Sequence, residues 1–483
     1  MNTQEHYRLG ETLEISRVLT GLWQVADIEK DGDKIDPEIG ADHLQAYAKN
    51  GFSTFDMADH YGSAEIISGH LLKRYEPGSA RPVMCTKWCP EPGPMTAEIV
   101  RNGVQERLDR LGVEKVDLLQ FHWWTFEHPA WLDALHELTN LRDQGLISEI
   151  GVTNFDAAHL QLALSDGVPL RTNQVSFSLL DRRATGPLAD VCRCSEVRLL
   201  AYGTLCGGFL SDRWLGKSEP TDISDWSKMK YKRFIDITGG WDSYQRILTA
   251  AAAIGAKHDV SISNVATRWV LEQTGVAGVI VGARLGETNH MADNAKLFGF
   301  ALDSEDHDRF AESFGENIPG DCGDEYRKTP FLTASGDLAH HLTGLQNAFK
   351  SAPIDHRPDD SRVLSGSAWE KIAGYCRAQR IGNRILVSGT TATAGIDRPV
   401  AVGDAEAQAT YILDKIAASL AALGSGMNDV VCTRIYITDA KDADSVSAAH
   451  GRVFSEVLPT NTLVVVAQLI GDYCVEIEAE AIL

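Results

Sequence analysis

From Glu14 to about Phe300, short runs of aliphatic and β-branched residues alternate with longer stretches whose apolar positions recur every three to four residues. The short runs fall at 15–23, 53–56, 82–87, 116–122, 149–153, 172–175, 197–202 and 278–281. The stretches at 39–50, 64–74, 97–111 and 129–144 carry the helical period. Eight strands interleaved with helices predict an α/β architecture, a (β/α)8 TIM barrel, because parallel strands need crossovers and helices supply them. Ahead of the first run, Arg8-Leu9-Gly10-Glu11 sits in a turn that allows a hairpin to plug the barrel floor. Beyond Phe300 the alternation fades. Residues 320–364, rich in Gly, Pro, Asp and Ser, read as a connector, with a helical pattern over 331–349. From Ser365 the pattern changes to a strand at 385–389, an Ala-rich helix at 403–423, a strand at 430–438, a helix at 440–458 and strands at 463–469 and 474–481. The expected organisation is therefore a barrel over 1–319, a linker over 320–364 and a separate α+β domain over 365–483.

Length supports that division, since 483 residues exceed what one core usually holds. A formal net charge of -22, spread along the chain, argues against nucleic-acid and anionic-membrane partners. The N-terminus lacks a basic segment followed by an apolar core, and no apolar run reaches spanning length, so a cytoplasmic protein without membrane contact is expected. The nine cysteines include no CxxC pair, which points away from structural zinc and disulfide frameworks, and no metal site is expected.

The candidate chemistry lies where strands end. Asp56, Lys87, His122, Thr153 with Asn154, Gln174 and Tyr202 close six consecutive runs, and Tyr61 follows Asp56 by five residues. Loops at the C-terminal strand ends carry catalysis in such barrels. A carbonyl that receives hydride must be protonated on oxygen, and a phenol of pKa about 10 is a poor acid at neutral pH until a neighbouring ammonium stabilises the phenolate. Lys87 has that chemistry, with Asp56 to hold the ammonium. Moving the phenol toward neutrality requires roughly 4 kcal/mol of differential stabilisation. Taken alone, Asp56 also reads as a helix N-cap and Tyr202 as a buried strand residue. Trp23, Trp88, Trp123 and Trp124 read either as packing residues or as walls of a pocket for an apolar carbonyl.

In order along the chain, Phe55-Asp56-Met57-Ala58 with Tyr61-Gly62, Cys85-Thr86-Lys87-Trp88, Asp109-Arg110-Leu111-Gly112, Gln120-Phe121-His122-Trp123, Gly151-Val152-Thr153-Asn154-Phe155, Asn173-Gln174-Val175 and Ala201-Tyr202-Gly203 resemble the motifs of the aldo-keto reductase family. The resemblance implies a catalytic tetrad of Asp56, Tyr61, Lys87 and His122, with Tyr61 as general acid/base. It implies a nicotinamide cofactor, NADPH with NADH possible, bound without a Rossmann fold, and no G-x-G-x-x-G follows a strand here. Thr153, Asn154 and Gln174 would hold the carboxamide, and Tyr202 would stack on the ring. Gly282, Arg284 and Asn294 resemble the segment that holds the cofactor's adenine end, where Arg284 would meet a 2′-phosphate. The implied substrate is a small carbonyl compound or alcohol.

Gly382-Asn383-Arg384-Ile385-Leu386-Val387-Ser388-Gly389, Gly426-Met427-Asn428-Asp429 and Val475-Glu476-Ile477-Glu478-Ala479 resemble the RidA (YjgF) family of imine and enamine deaminases. That resemblance implies a homo-oligomer, a trimer with clefts between subunits, and places Tyr375, Asn461 and Glu478 in the cleft. Asn461 replaces the arginine with which active members grip a carboxylate, and an amide offers neither the charge nor the two-pronged geometry. Arg377 and Arg380 are the available substitutes. Three functions follow: a carbonyl reductase carrying an assembly or ligand-binding domain, a bifunctional enzyme whose second domain processes an imine or enamine, and an NADPH-binding sensor.

Overall fold

The computed structural model describes residues 5–25, 35–76, 78, 80–223, 226–287, 290–321 and 345–483. The chain opens with an antiparallel hairpin, β1 (His6–Leu9) and β2 (Leu13–Ser16). Its Leu9, Leu13 and Ile15 pack with Leu19, Cys85, Leu118, Leu200 and Ala277, all buried, so the hairpin closes the N-terminal end of the barrel as expected. The residues expected as one run at 15–23 thus divide between the hairpin and the first barrel strand.

Eight parallel strands close the barrel: β3 (Val18–Gly21), β4 (Thr54–Asp56), β5 (Val83–Trp88), β6 (Val116–His122), β7 (Ile147–Thr153), β8 (Leu170–Ser176), β9 (Arg198–Tyr202) and β10 (Val276–Gly282). Helices α1 (Pro37–Lys49), α2 (Ala64–Leu72), α3 (Ala97–Leu111), α4 (Trp131–Asp143), α5 (Ala157–Ser165) and α6 (Pro187–Cys194) follow the first six strands in turn. Three more, α7 (Trp226–Ile237), α8 (Gly240–His258) and α9 (Ile262–Leu271), lie between β9 and β10, with α10 (Met291–Asn294) and α11 (Ser304–Ser313) after it. Local signals fix these ends. Asp36, Thr96, Asp156, Ser261 and Asp303 cap helix starts with side-chain oxygens, and Gly112 ends α3 in the left-handed conformation.

The second domain is a seven-stranded sheet in the order β11-β12-β13-β14-β19-β17-β18. Its strands are β11 (Lys350–Ile354), β12 (Arg357–Leu364), β13 (Ala378–Ile381), β14 (Arg384–Thr391), β17 (Val430–Ile437), β18 (Thr460–Val465) and β19 (Val475–Ile482), with β15 (Thr393–Ala394) and β16 (Arg398–Pro399) as a separate short pair. The sheet begins N-terminal to the expected boundary. Residues 350–364, expected as connector, form β11 and β12, and β12 pairs with β13. Their composition misleads because this edge of the sheet is largely exposed and needs no apolar run. The helical pattern at 331–349 falls mainly outside the described residues. Helices α12 (Ala368–Ala373), α13 (Ala405–Ala421) and α14 (Ala443–Phe454) complete the domain. Almost every residue of α13 is buried, because one side lies on β14 and β19 while the other lies on α5 of the barrel.

Candidate active site

Strand alternation builds the site. Successive residues face opposite sides of a barrel wall, so Cys85 and Lys87 point inward, as do Leu118, Gln120 and His122. Lys87 Nζ donates to both oxygens of Asp56, at 2.8 and 3.0 Å, and both side chains are almost wholly buried. Gln174 Nε2 donates to Asp56 Oδ1 at 2.7 Å, and Gln120 Nε2 reaches the same oxygen at 3.3 Å. The carboxylate therefore serves this pocket and is no helix cap, for the residue before α2 is Ser63. The Lys87 amine stands 5.1 Å from the centre of the Tyr61 ring. Tyr61 is held edge-on between Trp23, 5.0 Å away, and His60, 4.8 Å away. His122, buried at the end of β6, sits 4.4 Å from the Trp124 ring.

The remaining predicted groups divide. Thr153 ends β7 beside Gln174, Asn154 follows it, and Tyr202 O–H donates to Asn154 Oδ1 at 2.9 Å. Asn154 has φ 59°, a strained value for a residue other than glycine that fixes where its amide points. The Thr153 and Ser176 hydroxyls are buried and have no hydrogen-bond partner among the described residues, which fits a wall prepared to bind a polar ligand. Gly282 ends β10, exposed Arg284 donates from Nε to Gln24 Oε1 at 3.0 Å, and Asn294 lies in α10 facing a crevice with Ser263 and Asn264.

Two of the four tryptophans do not reach the mouth. Trp88 follows inward-facing Lys87 and so points outward, against Gly103 of α3 and the Phe121 ring at 5.8 Å. Trp123 stacks on Phe121 at 5.5 Å and donates from Nε1 to the His128 carbonyl, as a core residue does. Trp23 and Trp124 remain beside Tyr61 and His122.

Sequence reasoning missed three neighbours of the site. Gln120 was legible, being two residues before His122 and hence on the same side of β6. Lys230 of α7 places its amine 5.6 Å from the Tyr202 ring, and His60 flanks Tyr61; neither lies on a strand. Asp59, His60 and Cys89 gather ligand-type atoms within 4.8 Å of one another. Asp59 is already engaged, with His60 Nδ1 at 2.9 Å and the Cys89 amide at 2.8 Å, and Arg107 is 3.6 Å away. Burial would raise its carboxyl, but those partners hold it below the usual range.

In the second domain Tyr375 is exposed, as is Asn461 on edge strand β18. Glu478 faces Arg434 at 3.3 Å and accepts from Tyr436 at 3.5 Å. Arg377 is buried, its guanidinium bonded to the Gly389 carbonyl and 5.8 Å from the Tyr375 ring. Arg380 is spent on the Gly382 and Leu423 carbonyls.

A closed parallel barrel whose strand ends bury a lysine–carboxylate pair beside a tyrosine is the architecture of a barrel oxidoreductase. Residues 17–313 match the aldo/keto reductase family and residues 365–483 match the endoribonuclease L-PSP family. The chain belongs to the aldo/keto reductase family and is an NAD(P)H-dependent oxidoreductase, fused to a RidA/YjgF domain. It is 24% identical over 346 residues to the aldo-keto reductase YhdN of Bacillus subtilis, covering 68% of this chain and 98% of that protein. It is 25% identical over 308 residues to the NADH-specific methylglyoxal reductase of Escherichia coli, covering 58% of this chain and 89% of that one. An uncharacterized protein of Streptomyces coelicolor is 37% identical over 121 residues, 25% of this chain and 90% of that one. The glycerol dehydrogenase AKR11B4 from Gluconobacter oxydans shares the fold, with a TM-score of 0.51 and 23% identity over 64% of this chain and 94% of that one.

Proposed function

We propose that the barrel reduces an aldehyde or ketone, or oxidises the corresponding alcohol, with Tyr61 as general acid/base. The observation that carries this reading is the buried Lys87, held by both oxygens of Asp56 with its amine beside the Tyr61 ring. An ammonium fixed there stabilises the phenolate, so the Tyr61 proton can pass to a carbonyl oxygen as that oxygen gains charge. His122 shares the mouth and offers the same oxygen a hydrogen bond. A bound nicotinamide cofactor supplies the hydride. Thr153 and Asn154 offer it polar side chains, the carbonyl end of Gln174 can accept from its carboxamide, and Tyr202 presents a flat ring. Arg284 favours NADPH, since a planar guanidinium suits a phosphate, while Gly282 and Asn294 lie along the same path. Trp23 and Trp124 favour a carbonyl carrying an apolar group. In Tyr61→Phe, NADPH-coupled turnover of a carbonyl panel should fall by about 100-fold or more while NADPH binding persists. Turnover at the original rate would remove Tyr61 from the role.

For the second domain we favour assembly over deamination. The two arginines expected as substitutes at Asn461, Arg377 and Arg380, are bonded to main-chain carbonyls. The sheet face away from α13 presents Arg384, Leu386, Arg434, Tyr436 and Glu478, part-exposed or exposed, as a surface for two further copies in a trimer.

A further inference from the structure

The two domains meet at a buried ionic centre that the reductase chemistry does not use. His159 of α5 is 2% exposed, and its two ring nitrogens face carboxylates on opposite sides. Nδ1 lies 2.7 Å from Asp156 Oδ2, in the barrel, and Nε2 lies 3.2 Å from both oxygens of Asp414, on α13 of the second domain. The imidazole lies flat on the Phe126 ring, with centres 3.5 Å apart and planes 7° from parallel, and the Trp131 ring is edge-on at 5.8 Å. Phe126 also packs edge-on against Phe155 at 5.1 Å.

These contacts converge on two loops. Phe126 belongs to the loop that leaves β6 four residues after His122. Asn154, Phe155 and Asp156 belong to the loop that leaves β7 after Thr153, and Asp156 caps α5 through the His159 amide. We propose that Asp414 is a positioning residue for the reductase site: by holding His159 from the second domain, it fixes together the loop that follows His122 and the loop that carries Asn154. The inference rests on the reading above that His122 and Asn154 serve substrate and cofactor.

The charges support the arrangement. Burial alone would push the imidazole down, but Asp156 and Asp414 outweigh it and hold it up at about 10, so His159 stays a cation across neutral pH. Among the described residues, this centre is also faced by Arg452 of α14, which lowers Asp156, by Glu127 of the loop after β6, raised chiefly by its own burial and further by Asp414, and by the Tyr411 phenol of α13, raised chiefly by burial and also by Asp414. Without the Asp414 charge, burial regains weight and the imidazole titrates closer to neutrality.

The test uses the full chain and Asp414→Asn. Amide hydrogen exchange over 124–127 and 154–157 is followed without cofactor, and NADPH affinity is measured by tryptophan fluorescence near pH 6.5 and near pH 8.5. Exchange in both loops should accelerate about tenfold. The NADPH dissociation constant should rise about fivefold, and further at the higher pH as the imidazole loses its proton. Arg398→Gln breaks a different contact between the domains, the 2.8 Å pair with Asp166, and should leave both loops and the affinity unchanged. Exchange in Asp414→Asn equal to that of the parent, or equal loosening in Arg398→Gln, would overturn the proposal. Failure of the parent chain to bind NADPH would sink the reductase reading, while the exchange experiment would still decide the positioning role. Should Asp414→Asn not fold, Phe126→Leu removes the stacked ring from the barrel side; faster exchange over 154–157 is then expected, and its absence overturns the inference.

Discussion

A lysine ammonium inside a barrel is costly to desolvate, and the site meets that cost with a carboxylate that accepts from Lys87, Gln174 and Gln120 at once. His159 is another buried cation held by carboxylates, and its position gives the protein a pH signature. Its folded pKa of about 10 lies above the unfolded value of about 6.5. Its contribution to stability is therefore complete below pH 6.5 and disappears as pH rises through 10, amounting to a few kcal/mol at most. Urea unfolding at pH 7 and pH 9.5 should show a loss that is smaller in His159→Gln. The two centres differ in how far the sequence shows them. Asp56, Tyr61, Lys87 and His122 were legible because each lies at or just past a strand end with a local motif. The partners His159 and Asp414 stand 255 residues apart, and nothing local to either announces the other. Of the two readings open for the tryptophans, packing holds for Trp88 and Trp123, because proximity to a strand end does not say to which side a residue points.

At the level of elements, the eight barrel strands and the first four helices were legible because strand and helix periods are distinct and turn residues separate them. The edge strands β11 and β12 were not, since their exposed faces carry the Pro, Asp and Ser of a loop. The contact of α3 with β5 shows what the helix period alone leaves out. A Cβ at Gly103 would lie 2.4 Å from the Trp88 ring, so the helix can approach the strand only with glycine there. Gly103→Leu should destabilise the protein by about 1–3 kcal/mol, read as a lowered urea midpoint, with Trp88 forced from its site.

At the scale of the molecule, α13 lies on one face of the second sheet, and Leu386, Arg434 and Tyr436 on the other are part-exposed or exposed. If the other face joins copies, light scattering should give three times the chain mass, and Leu386→Lys, which puts a charge in that face, should yield the single chain with its barrel activity retained. A monomer at all concentrations would remove the trimer. No helix among the described residues is long and apolar enough to cross a membrane.

Helix α13 has no side left for water. Flanked by its own sheet and by α5, with Asp404 held by the Ser165 hydroxyl at 2.6 Å, it is interior to both halves at once. Severing the polypeptide between positions 321 and 345 would thus not set two proteins free. The fragments would remain a tight complex, and the join between reductase and partner domain behaves as a weld and not as a tether.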